Sequence, residues 1–216
     1  MPQTKSDFDV DYDESLDDHP DEKTIDATVE SLENRGFDPV LVDSAAEALA
    51  EVKDRIPAGA SVMNGHSTTL EEIGFVEYLD DGDHDWENLH EAIFATDDES
   101  ERNRLRRESQ TADYFLGSVN AIAKSGELVA ADASGSRVGA YPFAAGNLVL
   151  VSGVNKIVDD LSAALDRLED VAYALEDARA QEAYGQGSVI GKQLIYRHEL
   201  TEGRTTVVLV DDDLGF

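Results

Sequence analysis

The stretch that decides the fold is EKTIDATVESLENRGFDPVLVDSAAEALAEVKDRIPAGASVM, residues 22–63. Apolar side chains recur at helical spacing over residues 22–34, and this pattern ends at Gly36. Residues 37–42 then form an apolar run typical of a strand, which Pro39 places near the edge of a sheet. The stretch therefore begins with a helix followed by a strand.

The same stretch continues with a second helix and a second strand. Ser44 is followed three positions later by Glu47, a capping box that predicts a helix over residues 45–55. Residues 60–63 are typical of a short, buried strand. Because alternating helices and strands build a parallel sheet covered by helices, we predict an α/β fold with a parallel-rich mixed sheet flanked by helices.

The rest of the chain extends this prediction as one domain over residues 21–216. Further helices are predicted over residues 86–94, 100–109 and 156–179, and further strands over residues 112–116, 121–122, 128–131, 147–151, 192–198 and 205–210. The last two strands are separated by a short turn, which indicates a hairpin. Residues 1–20 are acidic and poor in apolar side chains, and we predict a flexible tail or a loosely docked arm.

The charge balance excludes some classes of partner. The chain has 47 acidic against 17 basic residues, a formal net charge of −30. Nucleic acids and anionic membranes require basic surfaces, so we expect neither as a partner. Such acidity favours a halophilic protein from a high-salt cytoplasm, where screening removes much of the self-repulsion. An ordinary acidic protein is the alternative.

Residue types that are missing narrow the chemistry further. The chain contains no cysteine, which excludes disulfides, thiol nucleophiles and cysteine-ligated iron–sulfur clusters within it. Its five histidines lack metal-ligand spacing, so we expect no metal site and no resident cofactor. Without a long apolar run or an apolar N-terminal signal, we expect a cytoplasmic protein.

The first candidate site is the turn NGHSTT at residues 64–69. A glycine turn leading into a helix start exposes backbone N–H groups, and Ser67 and Thr68 add hydroxyl donors for an anion. The alternative is a helix cap and nothing more, with Ser67 at the N-cap. His66 stands beside this turn.

A second candidate follows the strand predicted over residues 112–116. Gly117, Ser118 and Asn120 form a turn at a strand end, where α/β folds place ligands. Asn120 can both donate and accept hydrogen bonds. A sharp turn between strands is the alternative, since these residue types also favour turns.

A third candidate combines a carboxylate with a basic turn. Glu127 is the best single candidate for a catalytic carboxylate, the alternative being a solvated turn residue. Gly135 and Ser136 lead to Arg137, which could clamp a carboxylate bidentately. A structural pair with Asp132 is the alternative for that arginine.

The fourth candidate is the pair Asn155 and Lys156 at the predicted start of the long helix. A lysine in a first helical turn is unfavourable for the helix dipole, so an anionic ligand would explain it. Pairing with Asp159 or Asp160 is the alternative. We expect the loops that carry Ser67, Asn120, Arg137 and Lys156 to converge in one electropositive pocket at the carboxyl edge of the sheet.

Three further segments stand out as longer motifs. They are GHSTTLEEIG at residues 65–74, ADYFLGSVNAIAKSGELVAADASGSRV at residues 112–138 and VLVSGVNKIVDDLSAAL at residues 149–165, with VVLVDDDLGF closing the chain. With these segments the chain resembles the LUD-domain family of lactate utilisation proteins. Their combined order is more specific than any one segment. The resemblance covers most of residues 22–216.

This resemblance implies a fold similar to the sugar-phosphate isomerase and CoA-transferase group. It also implies a role in oxidising lactate or a related small organic acid, with iron–sulfur clusters held by partner subunits and a small carboxylate as ligand. The alternative is an enzyme with CoA-transferase-like or isomerase-like chemistry. In the CoA-transferase group a glutamate is the nucleophile, and Glu127 is the candidate here. Self-association is left open.

Overall fold

The computed structural model describes residues 3–216, which fold into two sheets with surrounding helices. The helices are α1 (Glu22–Asn34), α2 (Ala45–Arg55), α3 (Thr68–Glu72), α4 (Phe75–Asp81), α5 (Leu89–Ala95), α6 (Glu99–Glu108), α7 (Leu161–Arg167) and α8 (Ala174–Tyr184). The strands are β1 (Asp38–Val42), β2 (Ser61–Asn64), β3 (Glu87–Asn88), β4 (Tyr114–Gly117), β5 (Ala121–Ala123), β6 (Leu128–Asp132), β7 (Asn147–Gly153), β8 (Ile157–Val158), β9 (Lys192–Tyr196) and β10 (Thr205–Val210).

The main sheet has six strands in the order β1-β10-β7-β4-β2-β3, and every neighbouring pair is parallel. Helices cover it, which confirms the predicted α/β class with a parallel-rich sheet flanked by helices. Strand β1 lies at one edge, where Pro39 was expected to place it. Parallel strands all end at the same side of a sheet, so their carboxyl ends form one edge.

The main sheet is buried on both faces. Along β7, Leu148 and Leu150 point to one side, whereas Val149 and Val151 point to the other. The first side packs against α1 and the second sheet. The other packs against α2, α3 and α4. The result is a layered α/β core, as the alternation of helices and strands predicts.

The second sheet is mixed and has the order β8-β5-β6-β9. Strand β6 is antiparallel to both β5 and β9, and α7 packs on the outer face. The predicted hairpin of the last two strands is therefore wrong. Strand β9 pairs with β6, while β10 lies between β1 and β7 in the main sheet, because its six residues are all buried and need a central position.

The predicted long helix over residues 156–179 begins later than expected. Asp160 is its N-cap, with a carboxylate that accepts a hydrogen bond from the backbone N–H of Ala163 at 3.0 Å. Before it, Ile157–Val158 pair with β5 as a strand. The helix continues from α7 through a π-helical segment, Leu168–Tyr173, into α8. None of the helices within residues 3–216 combines the length and apolar composition needed to cross a bilayer.

Residues 3–20 lie along the domain, whereas the first two residues of the predicted tail lie outside the described residues. Phe8 packs edge-on against Phe216, with ring centroids 6.1 Å apart. Asp17 is buried and pairs with Lys5 and Arg167. We call residues 3–20 the N-terminal arm. The division into a flexible tail and a domain over residues 21–216 stays a prediction.

Candidate functional site

Four strands of the main sheet send their following segments to one edge. Residues 65–67 follow β2, residues 118–120 follow β4, residues 154–156 follow β7 and residues 211–216 follow β10. Because these strands are parallel, all four segments leave the carboxyl edge of the sheet, where open α/β sheets bind ligands.

A cavity of about 250 Å³ lies at this edge. Its walls come from the segments after β2 and β4, the turn after β6, and the helical region that contains the π-helical segment. The candidates among its lining residues are Ser67, Thr68, Ser118, Asn120, Ser136 and Arg137. The structure thus brings six of the eleven predicted site residues to one cavity.

Ser67 is the N-cap of α3, as the sequence predicts. Its hydroxyl oxygen accepts a hydrogen bond from the backbone N–H of Leu70 at 3.3 Å. The hydroxyl proton remains available for a second partner. Thr68, the first residue of the helix, also lines the cavity. The cap and a ligand-facing hydroxyl are therefore compatible at this turn.

Asn120 has a fixed side-chain orientation. Its Oδ1 accepts a hydrogen bond from the backbone N–H of Ala131 at 2.8 Å. This bond identifies the oxygen of the amide, so the other atom is the nitrogen Nδ2. Nδ2 has no hydrogen-bond partner within residues 3–216, and the residue lines the cavity. The amide thus offers a donor to the cavity.

Arg137 brings a positive charge to the cavity. Its guanidinium donates to the carbonyl of His66 at 3.0 Å and to the carbonyl of Ala131. The Asp132 carboxylate instead accepts the backbone N–H groups of Gly135, Arg137 and Val138. The suggested side-chain pair between Arg137 and Asp132 is therefore absent. No carboxylate within residues 3–216 forms an ion pair with this guanidinium.

Lys156 lies deeper, directly beneath the lining residues. It belongs to a 3₁₀ turn, Val154–Lys156, and not to a first helical turn, so the helix-dipole argument was wrong. Its side chain is 1% exposed. The ammonium position lies 3.0 Å from Thr69 Oγ1, 3.2 Å from Ser118 Oγ, 3.2 Å from the Val119 carbonyl oxygen and 3.3 Å from the Phe216 carbonyl oxygen.

The surroundings of Lys156 disfavour its charged form. Burial lowers its pKa well below the ordinary value, and the positive charge of Arg167 lowers it further. Neither suggested carboxylate partner is available. Asp159 pairs with Lys124, and Asp160 caps α7. The cavity floor is therefore a buried amine enclosed by oxygen atoms.

Three further candidates contribute to the fold near this edge and not to the cavity. A Cβ at Gly117 would meet the Tyr141 hydroxyl at 1.9 Å, so the glycine permits that close approach. Gly135 has φ +88°, which a turn glycine adopts freely. Asn155 is fully buried and its amide donates to Asp17 at 2.8 Å. None of the three lines the cavity.

Glu127 lies apart from the cavity. Its carboxylate accepts hydrogen bonds from Arg35 at 2.7 Å and from Ser125, and Arg197 lies 3.4 Å away. Burial alone would raise the pKa of Glu127, but the Ser125 hydroxyl and the charges of Arg35 and Arg197 bring it below the usual value. The structure places this glutamate in an ion-pair cluster away from the other candidates.

The structure adds cavity residues that sequence reasoning missed. Tyr173 and Glu176 come from the helical region, and Glu176 is paired with Arg179 at 2.7 Å. His66 also lines the cavity and lies 3.4 Å from Glu71. Burial, and then the charge of Arg179, lower the pKa of His66. Only His66 had a signal in the sequence, since it stands beside the Ser67 turn.

Comparisons with known proteins place the chain in a family. The model of the LUD domain family matches residues 25–210. The chain is also similar to a DUF162 family protein from Deinococcus radiodurans, solved by crystallography at 1.70 Å resolution. That likeness has a TM-score of 0.49 and 11% sequence identity, over 87% of this chain and 96% of that one. No curated protein matches the chain.

Proposed function

This chain belongs to the LUD domain family, and we propose that its cavity binds a small organic carboxylate such as lactate. In this proposal the protein serves the utilisation of lactate or a related organic acid. It acts together with iron–sulfur oxidoreductase subunits and is not itself the carrier of electrons.

The binding proposal rests on Arg137, whose guanidinium lies beside the cavity without a carboxylate partner within residues 3–216. The chain has 47 acidic and 17 basic residues, yet no carboxylate within residues 3–216 forms an ion pair with Arg137. Arg102, Arg106 and Arg107 also lack an ion pair there, but only Arg137 among these four arginines lines the cavity. Two backbone carbonyls hold the guanidinium beside the cavity. An arginine in this setting is suited to a carboxylate ligand.

The remaining lining groups fit a small, hydroxylated anion. Ser67, Thr68 and Ser136 offer hydroxyls, and Asn120 offers an unpaired amide N–H. Such neutral donors orient a ligand without adding charge. A cavity of about 250 Å³ accommodates a compact metabolite.

The acidic residues at the cavity already have partners. Glu176 is paired with Arg179, and Asp132 accepts three backbone N–H groups. The charge of Arg179 therefore offsets that of Glu176, and the hydrogen bonds of Asp132 hold its carboxylate against the backbone of its own turn rather than against the guanidinium of Arg137.

The partner half of the proposal rests on the family's association with lactate utilisation. These 216 residues contain no cysteine, so any cysteine-ligated cluster in such a system is held elsewhere. The alternative was an enzyme with CoA-transferase-like or isomerase-like chemistry, in which Glu127 would be the nucleophile. The ion pairs of Glu127 with Arg35 and Arg197, outside the cavity, give that role no support.

Calorimetric titration with L-lactate, glycolate, a sugar phosphate and a CoA ester tests the binding proposal. We expect lactate or glycolate to bind, and Arg137→Met to weaken that binding at least about tenfold. Arg102→Met is the matched control, since its guanidinium also donates to a backbone carbonyl, that of Thr96 at 2.7 Å, away from the cavity. The proposal would be overturned if both variants lost the same affinity for lactate or glycolate. It would also be overturned if only the sugar phosphate or the CoA ester bound.

A further inference from the structure

The pair Ser118 and Lys156 has no role in simple carboxylate binding. Ser118 lines the cavity, and its Oγ lies 3.2 Å from Lys156 Nζ behind it. Thr69 completes a triangle, with its Oγ1 3.3 Å from Ser118 Oγ and 3.0 Å from Nζ. A hydroxyl that faces a cavity and contacts a buried amine is an arrangement used for nucleophilic catalysis.

The hydrogen-bond inventory around Nζ fits a neutral amine. Two of its neighbours, the main-chain oxygens of Val119 and Phe216, can only accept, and a neutral amine has two N–H groups to donate. The Thr69 and Ser118 hydroxyl oxygens lie within hydrogen-bond distance of Nζ and can accept from it. In the neutral amine the single lone pair can instead accept the proton of one hydroxyl, and that of Ser118 is the one that lines the cavity. No aspartate or glutamate within residues 3–216 forms an ion pair with Lys156.

We infer that Ser118 is a nucleophile, that Lys156 is its general base, and that the cavity transfers the acyl group of a small ester or thioester bearing a carboxylate. This activity goes beyond the proposed function, which requires binding alone. The substrate's carboxylate would face Arg137, and its reacting carbonyl would face Ser118.

The reaction needs only the ester or thioester and water. The Ser118 hydroxyl gives its proton to Lys156 Nζ as Oγ bonds to the carbonyl carbon. The bond from that carbon to the leaving oxygen or sulfur then breaks, and the leaving group takes the proton from Nζ. Water next attacks the acyl-serine ester and gives a proton to Nζ. That proton returns to Ser118 Oγ as the free acid departs.

Asn120 supplies a donor for the charge that develops on the carbonyl oxygen. Its Oδ1 is held by the Ala131 N–H, so Nδ2 stays directed away from that bond and unpaired. Both Asn120 and Ser118 line the cavity, in the segment that follows β4. An oxyanion donor of this kind contributes about 10²–10³-fold to the rate.

A fluorophosphonate probe, which reacts with activated serines, tests the inference. We expect peptide mass spectrometry to find the probe on Ser118, with no labelling in Ser118→Ala. Lys156→Met should slow labelling by about 10²-fold or more, because it removes the base but keeps the side-chain length. Ser31→Ala is the matched control, since the hydroxyl of this helical serine bonds only the Ala27 carbonyl. The probe should label Ser118 of this variant at the wild-type rate.

The pH dependence of wild-type labelling is a second measurement that needs no variant. The rate should rise with pH to a midpoint clearly below that of an ordinary lysine, near 10.4. The inference is overturned if the probe does not label Ser118. It is also overturned if the rate of labelling changes neither with pH nor in Lys156→Met. Lactate titration run in parallel separates the two proposals. Lactate binding without labelling overturns acyl transfer alone, whereas labelling without lactate binding overturns the binding proposal alone.

Discussion

Asp17 and Arg167 form an ion pair in which the two side chains are 5% and 0% exposed. Asp17 belongs to the N-terminal arm, and Arg167 is the last residue of α7. The same guanidinium donates to the carbonyl of Asn120, a cavity residue. A carboxylate of the arm therefore pairs with the buried arginine directly behind the cavity.

Replacing this aspartate tests how firmly the arm is integrated. Asp17→Asn should lower the free energy of unfolding by about 3–5 kcal/mol, because it leaves Arg167 buried without a counter-ion. Urea unfolding of the variant measures this. Asp18→Asn is the matched control, since Asp18 is exposed and should change stability by less than about 0.5 kcal/mol. Equal stability of the two variants would show that the arm does not carry the charge of Arg167.

The hydrogen bonds of Glu199 should make the free energy of unfolding smaller in acid. Burial alone would raise its pKa, but hydrogen bonds from Tyr196, the Thr201 N–H, Thr205 and Arg204 lower it to about 2 from 4.5. A carboxyl whose pKa is depressed on folding stabilises the native state above its unfolded pKa. That contribution falls as the pH drops from about 4.5 towards about 2.

Urea unfolding at pH 7 and at about pH 2.5 measures this effect. Wild-type protein should lose more stability between these two pH values than Glu199→Gln, which lacks the titrating group, and the difference should be roughly 2–3 kcal/mol. Parallel pH profiles for the two proteins would show that Glu199 does not titrate with folding.

Salt should stabilise this protein. With a net charge of −30, repulsion between carboxylates opposes the compact state, and 1 M salt shortens the screening length from about 10 Å at 0.1 M to about 3 Å. We expect the unfolding temperature to rise by at least roughly 4 °C in 1 M KCl. The rise should shrink near the isoelectric point, about 4.2, where the net charge vanishes. A salt response independent of pH would exclude charge screening as its cause.

Gly65 should control the position of Arg137. A Cβ at this glycine would lie 2.9 Å from both Cγ and Cδ of the arginine, whose guanidinium is held by two carbonyls and cannot follow freely. Gly65→Ala should therefore weaken carboxylate binding about tenfold. If Gly65→Ala acts through the arginine, the double variant with Arg137→Met should bind the carboxylate about as weakly as Arg137→Met alone. Fully additive losses in the double variant would contradict this mechanism.

Local signals in the sequence were reliable where one residue type has one physical use. Ser44 and Ser67 cap helices as predicted, because a hydroxyl before a helix satisfies a free N–H group. Pro39 marked an edge strand, since it lacks the N–H that a central strand needs. Four parallel strand ends likewise brought Ser67, Ser118, Asn120 and their neighbours together.

The errors arose where distant pairing decides local structure. Ile157 stands four residues before Leu161, so it resembled part of the helical stripe, yet it pairs with Ile122 as a strand. Strands β9 and β10 are close in sequence, but each pairs with a strand far along the chain. The hydrogen bond between Arg35 and Glu127 joins residues 92 positions apart, so no spacing rule in the sequence could predict it.

The central place of β10 also constrains the order in which the protein can assemble. Asp38 is opposite Thr206, and Leu148 is opposite Thr205, so β1 has no partner in the main sheet until residues 205–210 have left the ribosome. Until then Val40 and Val42 of β1 lack the strand residues that they pair with, Val208 and Val210. Chaperone protection during translation is therefore more important for this topology than for one that pairs neighbouring segments in turn.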